Sequence, residues 1–183
     1  MKIVNIDFDN KEHVSIILKL SKRNKFYEGD INYLVGGILS EETQFFMKKY
    51  NKTPFDIYMY TPIYQMEEQR KGYFIMEDKK VVGFMIYYDE IYIKTSRINF
   101  LLIDKNYRNM GYGKFLLETV DKTNLYIIVD RVLKSEIDYY IKYGYKLIES
   151  FNDICDIYSG KDLEYFKKNF KIEDENYKTL IKK

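Results

Sequence analysis

Apolar and polar positions alternate over Ile3–Phe8, where Asn5 and Asp7 interrupt the apolar residues, and this predicts a half-buried strand. The spacing then becomes that of a helix face through His13, Ile16, Ile17 and Leu20, with Asp9 or Asn10 as the N-cap. His13 is expected on the surface of that amphipathic helix. From Asn24 to Lys71 no single period holds. Aromatic clusters at Phe26-Tyr27 and Ile57–Tyr64 are broken by Gly36-Gly37, Pro54 and Pro62, Ser40 can cap a helix reaching Tyr50, and Gln65–Lys71 is polar and compatible with a helix. Strand patterns return at Tyr73–Glu77 and Val81–Tyr88, joined by a turn at Asp78-Lys79-Lys80. Gly83 inside the second strand signals a bulge or a close backbone approach.

The stretch Ile98–Thr119 organises the rest. It reads as a buried strand (Ser96–Ile103), a polar turn, the loop Arg108-Asn109-Met110-Gly111-Tyr112-Gly113 and a helix over Tyr112–Lys122. Glycines before a helix let a ligand approach the backbone, where unpaired N–H groups and partial positive charge suit a phosphate. Leu125–Val129 follows as a short apolar run without a polar face, the mark of a strand buried on both sides in a parallel pair. Ser135, with Asp138 as its reciprocal partner, is expected to cap a helix carrying Ile137, Tyr140 and Ile141 on one face. Gly144 ends it in the left-handed position. Tyr145–Glu149 is predicted as a strand with Ile154–Tyr158 beside it, and Asp162–Phe170 and Glu173–Ile181 as terminal helices.

Composition narrows the picture. The 183 residues suit one domain, with no repeat or linker to mark a boundary. Lys+Arg 30 against Asp+Glu 28 leaves no basic field for nucleic acid, and the longest apolar run, Val81–Tyr88, is far short of a membrane span. One Cys and one His exclude an intrachain disulfide framework and argue against a zinc site, which fits a cytoplasmic protein. The start, MKIVNIDFDN, lacks the apolar core of a signal peptide. With 20 tyrosines in the chain, no single tyrosine stands out by type.

The glycine loop fits neither common nucleotide motif. A dinucleotide fingerprint needs a third glycine where Leu116 stands, and a P-loop needs Ser or Thr where Phe115 follows Lys114. Arg-x-x-Gly-x-Gly over Arg108–Gly113 resembles instead the pyrophosphate signature of the GCN5-related N-acetyltransferase (GNAT) family. Tyr139-Tyr140-Ile141-Lys142-Tyr143-Gly144-Tyr145 resembles that family's Phe-Tyr-x-Lys-x-Gly-Phe pattern, one strand and one helix later, as the family requires. Lys105, Leu133 and Glu136 depart from the Pro, Asn and small residue common in the family.

The resemblance implies an α/β (α+β) fold: a mixed, mostly antiparallel sheet with a central splayed parallel strand pair, flanked by helices. It implies acetyl-CoA as cosubstrate. Arg108, Asn109, Met110, Gly111, Tyr112, Gly113 and Lys114 would hold the pyrophosphate through backbone amides, and Leu101, Leu102 and Ile103 would orient pantetheine and thioester. Tyr140 matches the general acid. The strand Ser96–Ile103 has no carboxylate where some members place a base, which leaves Asp89, Glu90 or Asp130, or proton loss to water. The expected acceptor is a small-molecule or peptide amine, with residues 24–71 walling its site and 161–183 as a helical tail. A noncatalytic acyl-CoA-binding or sensing domain is the alternative. Oligomeric state stays open, a homodimer included.

Overall fold

The structure, a computed structural model, describes residues 1–7, 10–24, 69–90, 94–120, 124–155, 157–160, 163–164 and 177–183. The expected acceptor segment, 24–71, lies almost wholly outside them. Among the described residues the strands form a seven-stranded sheet in the order β1-β2-β3-β4-β5-β7-β6: β1 (Lys2–Asn5), β2 (Gln69–Glu77), β3 (Lys80–Glu90), β4 (Thr95–Ile103), β5 (Tyr126–Leu133), β6 (Lys146–Ile148) and β7 (Tyr177–Lys182). This is the mixed, mostly antiparallel sheet expected. Its parallel pair is β4 with β5, in register from Thr95↔Tyr126 to Ile98↔Val129, and each strand continues past that stretch. The chain divides into two compact units, Met1–Ile86 with Phe100–Leu117, and Tyr87–Asn99 with Glu118–Lys183.

In the first unit, α1 (Lys11–Arg23) starts where Asn10 accepts hydrogen bonds from the N–H groups of Glu12 and His13. Val14, Ile17 and Leu20 recur at helical spacing and pack into a core with Ile6, Phe74, Phe84, Ile86 and Leu102. His13 corrects the expectation of a surface residue. It is half-buried, its Nδ1 accepts from the Asp7 N–H at 3.0 Å, and its ring meets Phe74 edge-on. β1 pairs antiparallel with β2 from Lys2↔Met76 to Asn5↔Tyr73. β2 takes in Gln69–Lys71, part of a stretch the sequence leaves compatible with a helix.

The β2–β3 hairpin turns on two residues, Asp78 and Lys79, both at positive φ (46° and 66°). That backbone matches the twist of the flanking strands. Gly83 proves to be a close approach: a Cβ there would lie 2.6 Å from the Leu102 carbonyl oxygen. β4 then leads through a 3₁₀ turn (Lys105–Tyr107) to α2 (Tyr112–Leu117), shorter than the predicted Tyr112–Lys122.

In the second unit, β5 is the strand expected over Leu125–Val129, parallel to β4, with Ile128 and Val129 buried and Leu125 left exposed. It extends further than predicted, to Leu133, and its register against β7 shifts between Val129 and Val132. Ser135 does not cap a helix. It lies in a 3₁₀ turn (Lys134–Glu136) ahead of α3 (Ile137–Lys142), and α3 has no side-chain cap hydrogen bond. Gly144 sits at φ 85° as expected, and Tyr145 N–H closes back on the Tyr140 carbonyl at 3.2 Å.

Two further expectations fail here. Residues 151–155 form a short helix, α4 (Phe151–Cys155), held by Asp153, whose carboxylate accepts from the Glu149 and Ser150 N–H groups at 3.0 and 2.8 Å. The strand beside β6 is instead β7, which contradicts the helix predicted over Glu173–Ile181. Tyr177, Leu180 and Ile181 mimic a helix face at i, i+3, i+4. Thr179, Leu180 and Ile181 are nevertheless all buried in succession, which only a strand covered on both faces accomplishes. No helix among the described residues is long and apolar enough to cross a membrane.

Candidate active site

The loop after β4 has the geometry that its glycines suggested. Arg108 is extended (φ −69°, ψ 157°), and Asn109 and Gly111 are left-handed at φ 64° and 85°. Left-handed residues of this kind turn successive N–H groups toward one side, a concavity suited to an anion. Asn is the non-glycine residue that bears this conformation best. At Gly111 a Cβ would meet nothing within 4 Å, so the space before the backbone is open. Arg108, Asn109, Met110, Gly111 and Lys114 are exposed, as a loop meeting a soluble ligand requires.

The two glycines have different jobs. Gly111 supplies the left-handed turn, whereas Gly113 is a buried residue in the first turn of α2. The helix begins its bonding at Phe115 N–H to the Gly111 carbonyl (3.0 Å). Arg108 Nε donates to the Ile103 carbonyl at 3.2 Å, which pins the side chain against the end of β4 and engages one of the backbone groups expected to face pantetheine. Leu102 points into the core and is fully buried, while Leu101 and Ile103 are half-buried.

Tyr112 anchors the cradle to the hairpin. Its buried side chain hydrogen-bonds Glu77, and that bond, with desolvation and the Glu77 charge acting the same way, pushes its pKa up to about 12. The hydroxyl therefore stays protonated and donates. Tyr107 meets Tyr112 edge-on at 6.2 Å and takes Lys80 over its ring at 5.2 Å, the Lys80 ammonium reaching its hydroxyl at 3.5 Å. None of these contacts is visible in the motif. The tyrosine between the two glycines ties α2 to the end of β2.

In the second unit Tyr140 lies on α3, 6% exposed, with Tyr139 and Tyr145 edge-on to its ring at 5.2 and 5.6 Å. Tyr139 also meets Tyr143 at 5.0 Å, and Lys182 lies over the Tyr145 ring. Burial raises the pKa of both Tyr139 and Tyr145 above that of an ordinary phenol.

The carboxylates named as bases are placed by their backbones. Asp89 and Glu90 are the last residues of β3 and not part of a turn, and Asp130 lies inside β5, where the register shifts. Such irregularities recur beside active sites. Asp89 Oδ1 accepts from Ser96 Oγ at 2.7 Å and Asn124 Nδ2 at 2.9 Å, and Asn124 also donates to Ser96 at 2.8 Å. That closed triad gives Asp89 a role in tying the starts of β4 and β5. Arg97, on the strand that lacks a carboxylate, places its guanidinium over the Tyr88 ring at 5.6 Å. No group of three or more metal-ligating side chains occurs among the described residues.

The fold that carries these residues is shared with known proteins. Residues 69–147 match the model of the acetyltransferase (GNAT) domain, a stretch that holds both motifs. Solved structures with the same fold include the PaiA N-acetyltransferase of Thermoplasma acidophilum in complex with coenzyme A (17% identity, TM-score 0.55, covering 100% of this chain and 99% of that one). Tetrahymena GCN5 aligns at 14% identity and TM-score 0.58 over 99% of this chain and 94% of its own. An aminoglycoside 6'-N-acetyltransferase complexed with coenzyme A aligns at 12% identity and TM-score 0.57 over 100% and 96%. No curated protein matches the sequence. Residues 69–147 are thus similar to a GNAT acetyltransferase domain, and the chain has the fold of GNAT structures.

Proposed function

We propose that this protein transfers an acetyl group from acetyl-CoA to a primary amine, by direct attack of the amine on the thioester. The observation that carries the reading is the loop Arg108–Gly111, exposed, left-handed at Asn109 and Gly111 and open in front of the backbone, within a matched GNAT domain. The residues present fit the cosubstrate. Backbone amides over Arg108–Lys114 bind the pyrophosphate, Arg108 adds charge, and Leu101–Ile103 orient the pantetheine arm. Acetyl-CoA supplies an acyl group already activated as a thioester.

Tyr140 serves as general acid toward the departing thiolate. A phenol is protonated at neutral pH and able to donate. Glu90 or Asp130 accepts the amine proton, directly or through water. The acceptor is a small-molecule or peptide amine, as GNAT neighbours that act on aminoglycosides suggest. We read 1–183 as one cytoplasmic domain, with 24–71 forming the acceptor side.

A panel of amines with acetyl-CoA, read by thiol release, tests this. Turnover by the wild type and a Tyr140→Phe variant slowed about a hundredfold with unchanged CoA affinity are expected. A folded wild type that binds acetyl-CoA yet releases no thiol with any amine would replace the enzyme with an acyl-CoA-binding module.

A further inference from the structure

The cradle's take-off from β4 is held by residues that no motif contains. Asp104, directly after β4, is completely buried, and its own N–H donates to the Val82 carbonyl at 2.8 Å. One carboxylate oxygen accepts from the Asn106 N–H at 3.2 Å, and the other receives the Arg23 guanidinium from the end of α1. The next residue of α1's end completes the grip. Asn24 Oδ1 accepts from the Lys105 N–H at 2.8 Å, while Asn24 Nδ2 donates to the Leu20 carbonyl at 2.8 Å. Tyr107 N–H returns to the Asp104 carbonyl at 2.8 Å. Four residues beyond Asp104, Arg108 opens the cradle.

A buried carboxylate is costly unless it is paired and hydrogen-bonded, and an apolar side chain of similar size would serve stability as well. What the ion pair adds is a single position for the chain. Backbone amides that bind an anion work only when held to within about 0.5 Å. We propose that Asp104, Arg23 and Asn24 are positioning residues: a latch from the end of α1 that sets where the pyrophosphate loop leaves the sheet. The inference rests on the acetyl-CoA reading above. It assigns a role in cofactor affinity to side chains that need not touch the cofactor.

The test uses the full chain with CoA as probe. Arg23→Gln, Asn24→Ala, Asp104→Asn and the conservative Arg23→Lys are compared by calorimetric CoA titration and by thermal unfolding with and without CoA. Arg23→Gln and Asp104→Asn are expected to weaken CoA binding about tenfold while circular dichroism stays that of the wild type. The stabilisation that saturating CoA adds falls with the affinity, beyond any loss in the free protein. Arg23→Lys recovers part of the affinity, and the Arg23→Gln/Asp104→Asn pair is no worse than its worse member. Should Asp104→Asn, or Arg23→Gln, which leaves the buried carboxylate without its charge partner, fail to fold, Asn24→Ala and Arg23→Lys decide the matter. Folded variants that lower the unfolding temperature yet bind CoA as tightly as wild type would overturn the latch and leave the acetyl-CoA reading intact. A wild type that does not bind CoA overturns that reading, and this one with it.

Discussion

The loop after β4 and the helix α3 are the two parts of the molecule that the GNAT motifs single out, and they are built on different principles. The loop is proposed to bind through its backbone: Asn109 and Gly111 turn left-handed, and Asp104, Arg23 and Tyr112 make contacts beside it. α3 carries the proposed acid, Tyr140, packed against Tyr139 and Tyr145. Backbone recognition tolerates almost any side chain except where φ is positive, so its signature in the sequence is glycine. A side-chain acid surrounded by its own kind leaves no signature of its own. The first site can be read from residue types, while the second needs the motif to choose among 20 tyrosines.

Variants sharpen that contrast. The largest effect belongs to Gly111→Trp, which fills the open space before the backbone and strains a φ of 85°. CoA affinity should fall by more than about a hundredfold. Gly111→Asn, which tolerates the left-handed region, should retain measurable binding, and calorimetry separates the two. Tyr140→Phe should do the opposite, lowering kcat about a hundredfold without moving the CoA dissociation constant. If both variants change binding alike, the division between backbone and side-chain sites is wrong.

A smaller effect is expected at Tyr112→Phe, which removes the bond to Glu77 and should weaken CoA binding about fivefold. The same variant changes the alkaline response. The Tyr112 pKa is raised in the folded chain from its ordinary 10 to about 12, so its contribution is fully present below pH 10 and is lost as pH rises toward 12. Unfolding temperatures of wild type should fall across that window, and those of Tyr112→Phe should fall less. The least effect on CoA binding is expected of Asp153→Asn, eight residues beyond the second motif. Hydrogen bonds from Ser150 and Glu149 lower the Asp153 pKa, so its contribution is present above the ordinary carboxylate range and is lost as pH falls through the lowered value. The variant should lose part of the acid sensitivity of unfolding and keep wild-type CoA binding.

Local chemistry accounts for what was legible. The Asn10 cap, the hairpin at Asp78-Lys79, the left-handed Gly144 and the apolar run that becomes β5 are each decided within a few residues. The errors share the opposite cause. β7 has helix-like spacing and becomes a strand because β5 and β6 lie on either side of it. Ser135 is a good cap residue in a segment that turns as 3₁₀ instead. His13 has an acceptor for the Asp7 N–H only once β1 and α1 are placed. The latch spans 81 residues between Arg23 and Asp104, and no local pattern announces such a pair. The strand, glycine loop and helix were therefore legible, and the long-range contacts around them were not.

The central claim is that the backbone of the loop after β4 binds the pyrophosphate of CoA. Calorimetric titration of the folded wild type with CoA and, separately, with pantetheine, which has no pyrophosphate, tests it most directly. The account predicts CoA binding on the order of micromolar and pantetheine binding at least about a hundredfold weaker. Equal affinity for the two, or no binding of either, would contradict it.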